Sequence, residues 1–328
     1  VTDRAAPPVD SRDAQIAELF EAGSPRGLAK AITRAESGYG AALMHRFFPR
    51  AGRAMTIGLT GPPGVGKSTL SGALVRLLRA AGKTVGVISV DPSSPFSHGA
   101  ILGDRIRLTE HFTDSEVFIR SMASRGHLGG LAGATGDAVV LMDAFGKDVI
   151  LIETVGVGQS EIEIAELADT TLVALQPGSG DSVQLLKAGI LEVADVFVVN
   201  KADHPMALQL QREIRSMMEM VEFAGWVPEM VATRASEGAG IDELWAAVVR
   251  HDAYLRSGDG LAARRRNAFG HRVRSLVMGE LSKQVEPRIA AMLDDPAGRP
   301  DDPYRAAERL LERLPGSQPE RSAPRQSE

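Results

Sequence analysis

Eight consecutive residues constrain this chain more than any others: Gly61-Pro62-Pro63-Gly64-Val65-Gly66-Lys67-Ser68. They follow a short apolar run, MTIGLT (55–60), and open a stretch with helical spacing, TLSGALVRLL (69–78). A strand, a glycine-rich turn and a helix in that order curl backbone N–H groups around phosphate oxygens at the positive end of the helix. The pattern is GxxxxGK[ST] in the context it requires, and it predicts a nucleoside triphosphate site. The expected contacts run from Gly61 through Thr69. Lys67 is placed to reach the β- and γ-phosphates, and the Ser68 hydroxyl to ligate Mg²⁺. A glycine-rich turn with a coincidental lysine is the plainer alternative, and the strand–helix context disfavours it.

Around this turn the chain alternates short β-rich runs with helical stretches. Strands are expected at 55–60, 84–90, 117–122, 148–154, 170–176, 195–200 and 229–233. Most are apolar without clean alternation, as strands covered on both faces are. The fold class is therefore α/β, a mainly parallel sheet wrapped by helices. Before it, Ser24-Pro25 reads as a helix start, Ser as cap and Pro in the first turn. A further helix is expected over Ala41–Phe48. After it comes a long helix from about Leu261 to Met292, with Phe269, Val273, Leu276, Val277 and Leu281 on its apolar side. The expected divisions are a disordered lead at 1–12, a helical extension at 13–52, the nucleotide domain at 53–257, a helical arm at 258–314 and a disordered tail at 315–328.

Three acids are candidates to complete the metal site. Glu153 closes the apolar strand VILIE, where a Walker-B carboxylate belongs; Asp91 ends the strand after the P-loop helix, and Asp104 lies beyond it. Mg²⁺ keeps several waters, so direct and water-mediated roles both stay open. Glu153-Thr154-Val155-Gly156 matches ExxG, a variant of DxxG, in which the Gly156 N–H meets a γ-phosphate and registers its loss.

Asn200-Lys201-Ala202-Asp203 directly follows the strand DVFVV and matches NKxD. The Asp203 carboxylate can accept from both guanine N1–H and the exocyclic amine, a donor pair that adenine lacks. Lys201 is expected to lie along the base and Asn200 to tie loops together. Arg234-Ala235-Ser236 occupies the position of the loop usually written SAx, whose backbone contacts guanine O6. Arg234 stands where Ser is usual.

Composition narrows the function further. Lys+Arg is 37 against Asp+Glu at 42, a net charge of −5, which argues against a general nucleic-acid binder. The Arg264-Arg265-Arg266 run reads accordingly as a solvated helix face or dimer rim. There is no cysteine, which excludes disulfides, thiolate metal sites and thiol nucleophiles. The seven histidines form no HxH or HxxxH pair. No apolar run is long enough to span a bilayer, and Val1–Asp10 does not read as a signal peptide, so a cytoplasmic location is expected.

With these motifs assembled, the chain resembles the MeaB/ArgK/MMAA group of P-loop GTPases, chaperones of adenosylcobalamin-dependent methylmalonyl-CoA mutase. The specific segments are SVDPSSPFSHGAILGDRIRL (89–108) and PGSGDSVQLLKAGILE (177–192), beside GLTGPPGVGKSTL (58–70), ETVGVGQSE (153–161) and NKAD (200–203). The resemblance implies a homodimeric, Mg²⁺-dependent GTPase with an N-terminal helical extension and a C-terminal helical dimerisation arm. It also implies that 177–192 is a mobile switch sensing the partner mutase. Lys187 and Gln159 stand where the family places residues acting on the γ-phosphate or coupling to the partner. No strong internal base is visible, which fits slow hydrolysis raised by a partner.

Two other readings compete. A nucleotide-dependent kinase is one, since ArgK-type proteins have carried a transport-kinase label, but NKxD speaks against it. A maturation GTPase for another metalloenzyme is the other; nickel-delivering relatives carry metal on Cys/His clusters that this chain lacks.

Overall fold

The computed structural model describes residues 10–92, 111, 113–124, 130–154, 160–180, 190–294 and 302–312, without the side chains of 91–92, 123–124, 130–133 and 160–163. The chain divides into two compact units, Val1–Val273 and Arg274–Glu328.

The first unit is built on a seven-stranded sheet in the order β3-β2-β4-β1-β5-β6-β7. Its strands are β1 Met55–Thr60, β2 Val85–Pro92, β3 Val117–Ser124, β4 Val149–Glu153, β5 Thr170–Leu175, β6 Val196–Asn200 and β7 Glu229–Thr233. Every pairing is parallel. The chain leaves β1 toward β2 and β3, returns through β4, and then builds outward through β5, β6 and β7. The order therefore reverses beside β1, and the crevice beyond the C-terminal end of β1 is where such sheets bind ligands.

Burial explains the lack of alternation. All of β4, β5 and β6 is buried, and so is β1 after Met55. Ile57 and Leu59 of β1 point to one face, with Leu151, Leu172 and Val198. Helices α4 (Lys67–Ala80) and α8 (Ile241–Arg256) cover that face with Leu70, Leu74, Leu244 and Val248. On the other face Ile150 and Ile152 of β4 meet α5 (Gly130–Ala144) and α6 (Ser160–Leu167). Helix α7 (Ala207–Met218) packs Leu210 and Ile214 against Phe197 and Val199 of β6.

The N-terminal helices belong to the second face. These are α1 (Ser11–Glu21), α2 (Pro25–Glu36) and α3 (Ala41–Phe47), the last running into a 3₁₀ turn at Phe48–Arg50. Helix α2 starts at Pro25 as expected, although Ser24 makes no side-chain cap and its carbonyl accepts from Gly27 N–H at 2.8 Å instead. Phe20 stacks on Phe47 at 4.0 Å and meets Phe145 edge-on at 5.1 Å. Leu28 and Ile32 are fully buried in the same cluster as Ile150 and Ile152. Each such side chain contributes about 1.5–3 kcal/mol by burial, so these helices are part of the core.

At the N-terminal ends of the strands, aspartates cap the opening N–H groups. Asp143 accepts from Gly52, Arg53 and Ala54 N–H at 2.6, 3.1 and 3.0 Å, and Asp148 from Thr84 N–H at 2.8 Å. Asp169 accepts from Thr56 N–H at 3.0 Å and Asp195 from Thr171 N–H at 2.8 Å. The long helix α9 (Gly260–Leu293) enters this layer through Arg264 and Arg265. Arg264 bonds both oxygens of Asp195 at 2.8 and 2.5 Å, and Arg265 both oxygens of Asp169 at 3.1 and 2.9 Å. The expectation of a solvated face is thus corrected for these two arginines. Carboxylates in need of a counter-charge draw them in. Burial pushes the Asp195 carboxyl up, but hydrogen bonds from His251 and Arg264 outweigh it and hold the group below the usual carboxylate range.

In the second unit lie the rest of α9 and helix α10 (Pro303–Glu312). Leu276, Val277, Leu281 and Leu311 are exposed there. No helix among the described residues is long and apolar enough to cross a membrane.

Candidate nucleotide-binding site

The loop between β1 and α4 turns on glycines that admit nothing larger. Gly61 has φ 142°, and a Cβ there would sit 2.1 Å from the Ala174 carbonyl oxygen. Gly66 has φ 97°, and its Cβ would meet Asn200 Nδ2 at 2.6 Å. Gly64 is also left-handed, at φ 78°. Pro62 and Pro63 fix two further φ angles, and Val65 is fully buried. Thr69 is exposed in the first turn of α4.

Lys67 folds back over this loop. Its Nζ donates to the carbonyls of Gly61 at 2.7 Å and Pro62 at 3.0 Å, and the residue is buried. One turn of α4 faces the end of β4. Ser68 Oγ donates to Glu153 Oε1 at 2.6 Å, and Ser71 Oγ to Glu153 Oε2 at 3.0 Å. A buried hydroxyl against a carboxylate is a hard-oxygen donor pair of the kind Mg²⁺ takes, with phosphate and water completing the shell. Among the described residues no three His, Asp or Glu side chains gather into a metal cluster. The exit from β4 is held by Thr154, whose N–H donates to Leu59 O at 3.1 Å and whose Oγ1 lies 3.0 Å from Thr60 Oγ1.

The ends of β6 and β7 supply the second half. Asn200 Nδ2 donates to Val65 O at 2.8 Å, while its Oδ1 accepts from Thr233 Oγ1 at 3.0 Å and Ala235 N–H at 3.2 Å. One amide thus joins the phosphate loop to two later segments. Lys201 is the one non-glycine with positive φ among the described residues, at 56°. Such backbone is costly and gathers at ligand clamps. Its Nζ donates to Gly64 O at 2.9 Å and Gln176 Oε1 at 2.6 Å. The turn carrying Asp203 is closed by Ala202 N–H to Thr233 O at 3.1 Å and His204 N–H to Lys201 O at 3.0 Å, and Asp203 is exposed. Arg234 turns its side chain to Glu237 at 3.0 Å, Ala235 is buried, and Ser236 follows in a 3₁₀ turn.

Gly61 through Thr69, Glu153, Asn200, Lys201, Asp203 and the 234–236 turn therefore come together at the C-terminal ends of β1, β4, β6 and β7. Asp91 lies in β2 with its side chain not described; Asp104, Gly156, Gln159 and Lys187 lie outside the described residues. Sequence reasoning missed Ser71, Gln176 and Thr233. The signal for Ser71 was its spacing, three residues beyond Ser68 and so on the same helix face. Gln176 follows Leu175, which pairs with Val199, so strand alignment alone puts it beside Asn200.

Comparison with known proteins agrees with this geometry. The family model described as methylmalonyl Co-A mutase-associated GTPase MeaB matches residues 28–290. A Pyrococcus horikoshii relative, provisionally assigned as a GTPase, is 43% identical over 311 residues, 92% of this chain and 98% of its own. GTPase ArgK of Escherichia coli is 38% identical over 233 residues, 68% of this chain and 70% of its own. A solved LAO/AO transport system kinase superposes with a TM-score of 0.69 at 26% identity, covering 93% of this chain and 98% of that one. The chain belongs to the MeaB family of methylmalonyl-CoA mutase-associated GTPases.

Proposed function

We propose that the chain binds and hydrolyses GTP with Mg²⁺, and that this cycle gates the loading, protection or reactivation of adenosylcobalamin on methylmalonyl-CoA mutase. The observation that carries the nucleotide reading is the bonding of Asn200 and Lys201 to the carbonyls of Val65 and Gly64, which makes one cradle of the base and phosphate loops. The mutase reading rests on the description of the family.

In this reading the N–H groups from Gly61 to Thr69 surround the phosphates, and Lys67 exchanges two neutral carbonyls for the β- and γ-oxygens. Ser68 and Glu153 hold Mg²⁺, with Asp91 and Asp104 as further acids, and the ion supplies charge neutralisation between the β- and γ-phosphates. Asp203 reads guanine through its two donors, the Ala235–Ser236 backbone faces O6, and Arg234 serves the turn through Glu237. Gly156 senses the γ-phosphate. Gln159 and Lys187 act on it or couple it to the partner through 177–192. The division into an extension at 13–52, a GTPase domain at 53–257 and an arm at 258–314 belongs to the same reading, with a homodimer formed through the exposed apolar residues of α9. The protein then works in the cytoplasm, without nucleic-acid or membrane partners.

A kinase reading draws on the transport system kinase named for the superposed structure. The Asn200-Lys201-Ala202-Asp203 turn favours guanine, whereas most kinases take ATP. A steady-state GTPase assay with and without purified mutase separates the two. The chaperone reading expects the mutase to raise the rate, and Lys187→Ala to lose most of that increment, because a bound partner raises the fraction of time the segment is productively placed. If the mutase neither binds nor changes the rate, the client assignment fails and a GTPase remains.

A further inference from the structure

Glu153 stands where the commoner DxxG pattern has an aspartate, one methylene shorter, and its carboxylate meets two hydroxyls of α4. Ser68 Oγ stands 2.6 Å from Oε1 and Ser71 Oγ 3.0 Å from Oε2. Ser68, Ser71 and Glu153 are all buried. The terminal torsion of a glutamate is broad, so a carboxylate held at one oxygen still rotates about that bond. Held at both, it keeps one orientation.

We propose that Ser71 is a positioning residue for the metal site: it fixes the rotation of the Glu153 carboxylate so that Oε1 stays with Ser68. The inference rests on the proposal that Ser68 and Glu153 hold Mg²⁺, and it assigns Ser71 no contact with nucleotide or ion. Removing its hydroxyl takes a donor from a buried oxygen and loosens the hold on the carboxylate's rotation. Groups that orient metal ligands are commonly worth about 10–100-fold in metal affinity. Ser71→Ala should accordingly raise the Mg²⁺ concentration for half-maximal turnover about 10-fold, with kcat at saturating Mg²⁺ changing less than about threefold.

The test is a spin-resonance titration of Mn²⁺ into the full chain bound to GDP, for wild type, Ser71→Ala, Glu153→Asp and the double variant, with Glu153→Gln as control. Melting of the nucleotide-free variants confirms that each is folded. The expected result is about a 10-fold loss of Mn²⁺ affinity in Ser71→Ala that disappears in the Glu153→Asp background, where the shorter side chain no longer spans both hydroxyls. An equal loss in both backgrounds would mean that Ser71 merely packs, and overturns the proposal. So would unchanged affinity in Ser71→Ala while Glu153→Gln loses it, a result that leaves the metal reading standing. If Glu153→Gln also leaves Mn²⁺ binding intact, the metal reading falls and the proposal with it.

Discussion

At the C-terminal ends of the strands two lysines donate to neutral acceptors, Lys67 to the Gly61 and Pro62 carbonyls and Lys201 to the Gly64 carbonyl and the Gln176 amide. At the N-terminal ends two arginines rest on carboxylates, Arg264 on Asp195 and Arg265 on Asp169, which in turn cap strand-opening N–H groups. The two ends of one sheet thus use charge in opposite ways. A cation on a carbonyl gains by exchanging it for a phosphate oxygen, since charge-assisted bonds are roughly twice as strong as neutral ones. A guanidinium already matched to a buried carboxylate has nothing to gain, and opening the pair leaves an uncompensated charge. One end is built to be re-bonded by a ligand and the other to stay closed, so mutations at the two ends should move different observables.

The largest effect is expected from Lys67→Ala, which should lower GTP turnover by about 100-fold or more, because it removes charge aimed at the transferring phosphoryl group. The variant should still fold, since the change lies in the phosphate loop and leaves the apolar core of the sheet untouched, and its melting curve checks this. Unchanged turnover in the folded variant would remove Lys67 from the chemistry. Asp195→Ala is the counterpart and should cost about 3 kcal/mol of stability, measured by urea unfolding, while GTP affinity of the folded fraction stays within about twofold. A loss of affinity without a loss of stability would erase the contrast between the ends.

Acid should act first on the closed end. Asp148, held down chiefly by the Thr84 N–H, and Asp195 both sit below the usual carboxylate range. A depressed carboxyl stabilises the fold above its unfolded pKa, about 3.9 for Asp, and loses that contribution as pH falls through its lower folded value. Urea midpoints should therefore show no loss from these groups between about pH 7 and 5 and fall below about pH 4, with a shallower fall in Asp195→Asn. An equal fall in that variant would place the acid sensitivity elsewhere. The smallest effect is expected from Arg234→Ala. Its pair with Glu237 is exposed, so stability should move by less than about 0.5 kcal/mol, and GTP affinity by less than about twofold. A larger drop in affinity would give the Arg234 side chain a part in binding the base.

Much of the open end was legible because its constraints are local. A left-handed glycine, a lysine opening a helix and an amide ending a strand each leave a mark at fixed spacing, and strands β1 and β7 fall on the residues that their apolar β-branched runs indicate. Strand β2 was displaced slightly, expected at 84–90 and found at Val85–Pro92, because its pairing with β3 carries it on through polar Asp91 to Pro92. The closed end was far less legible. Its bonds join residues far apart in sequence, such as Arg265 to Asp169 and Arg264 to Asp195, and an arginine run reads alike whether water or carboxylates face it. The same holds for Phe20, Phe47 and Phe145, which meet only once the second face of the sheet has assembled. Ser71 shares a helix face with Ser68 by its spacing, but that spacing points to Glu153 only once the strand that the face meets is known.

Equilibrium affinities for GTP, XTP and ATP in wild type and Asp203→Asn measure the selectivity for guanine directly. Wild type should prefer GTP over both. In the variant one acceptor becomes a donor, matching the acceptor that xanthine presents in place of guanine's amine. XTP should therefore overtake GTP, with a change in relative affinity of about 100-fold or more, because sites built on paired hydrogen bonds discriminate strongly. An Asp203→Asn protein that still preferred GTP would contradict the assignment of this turn as the base reader.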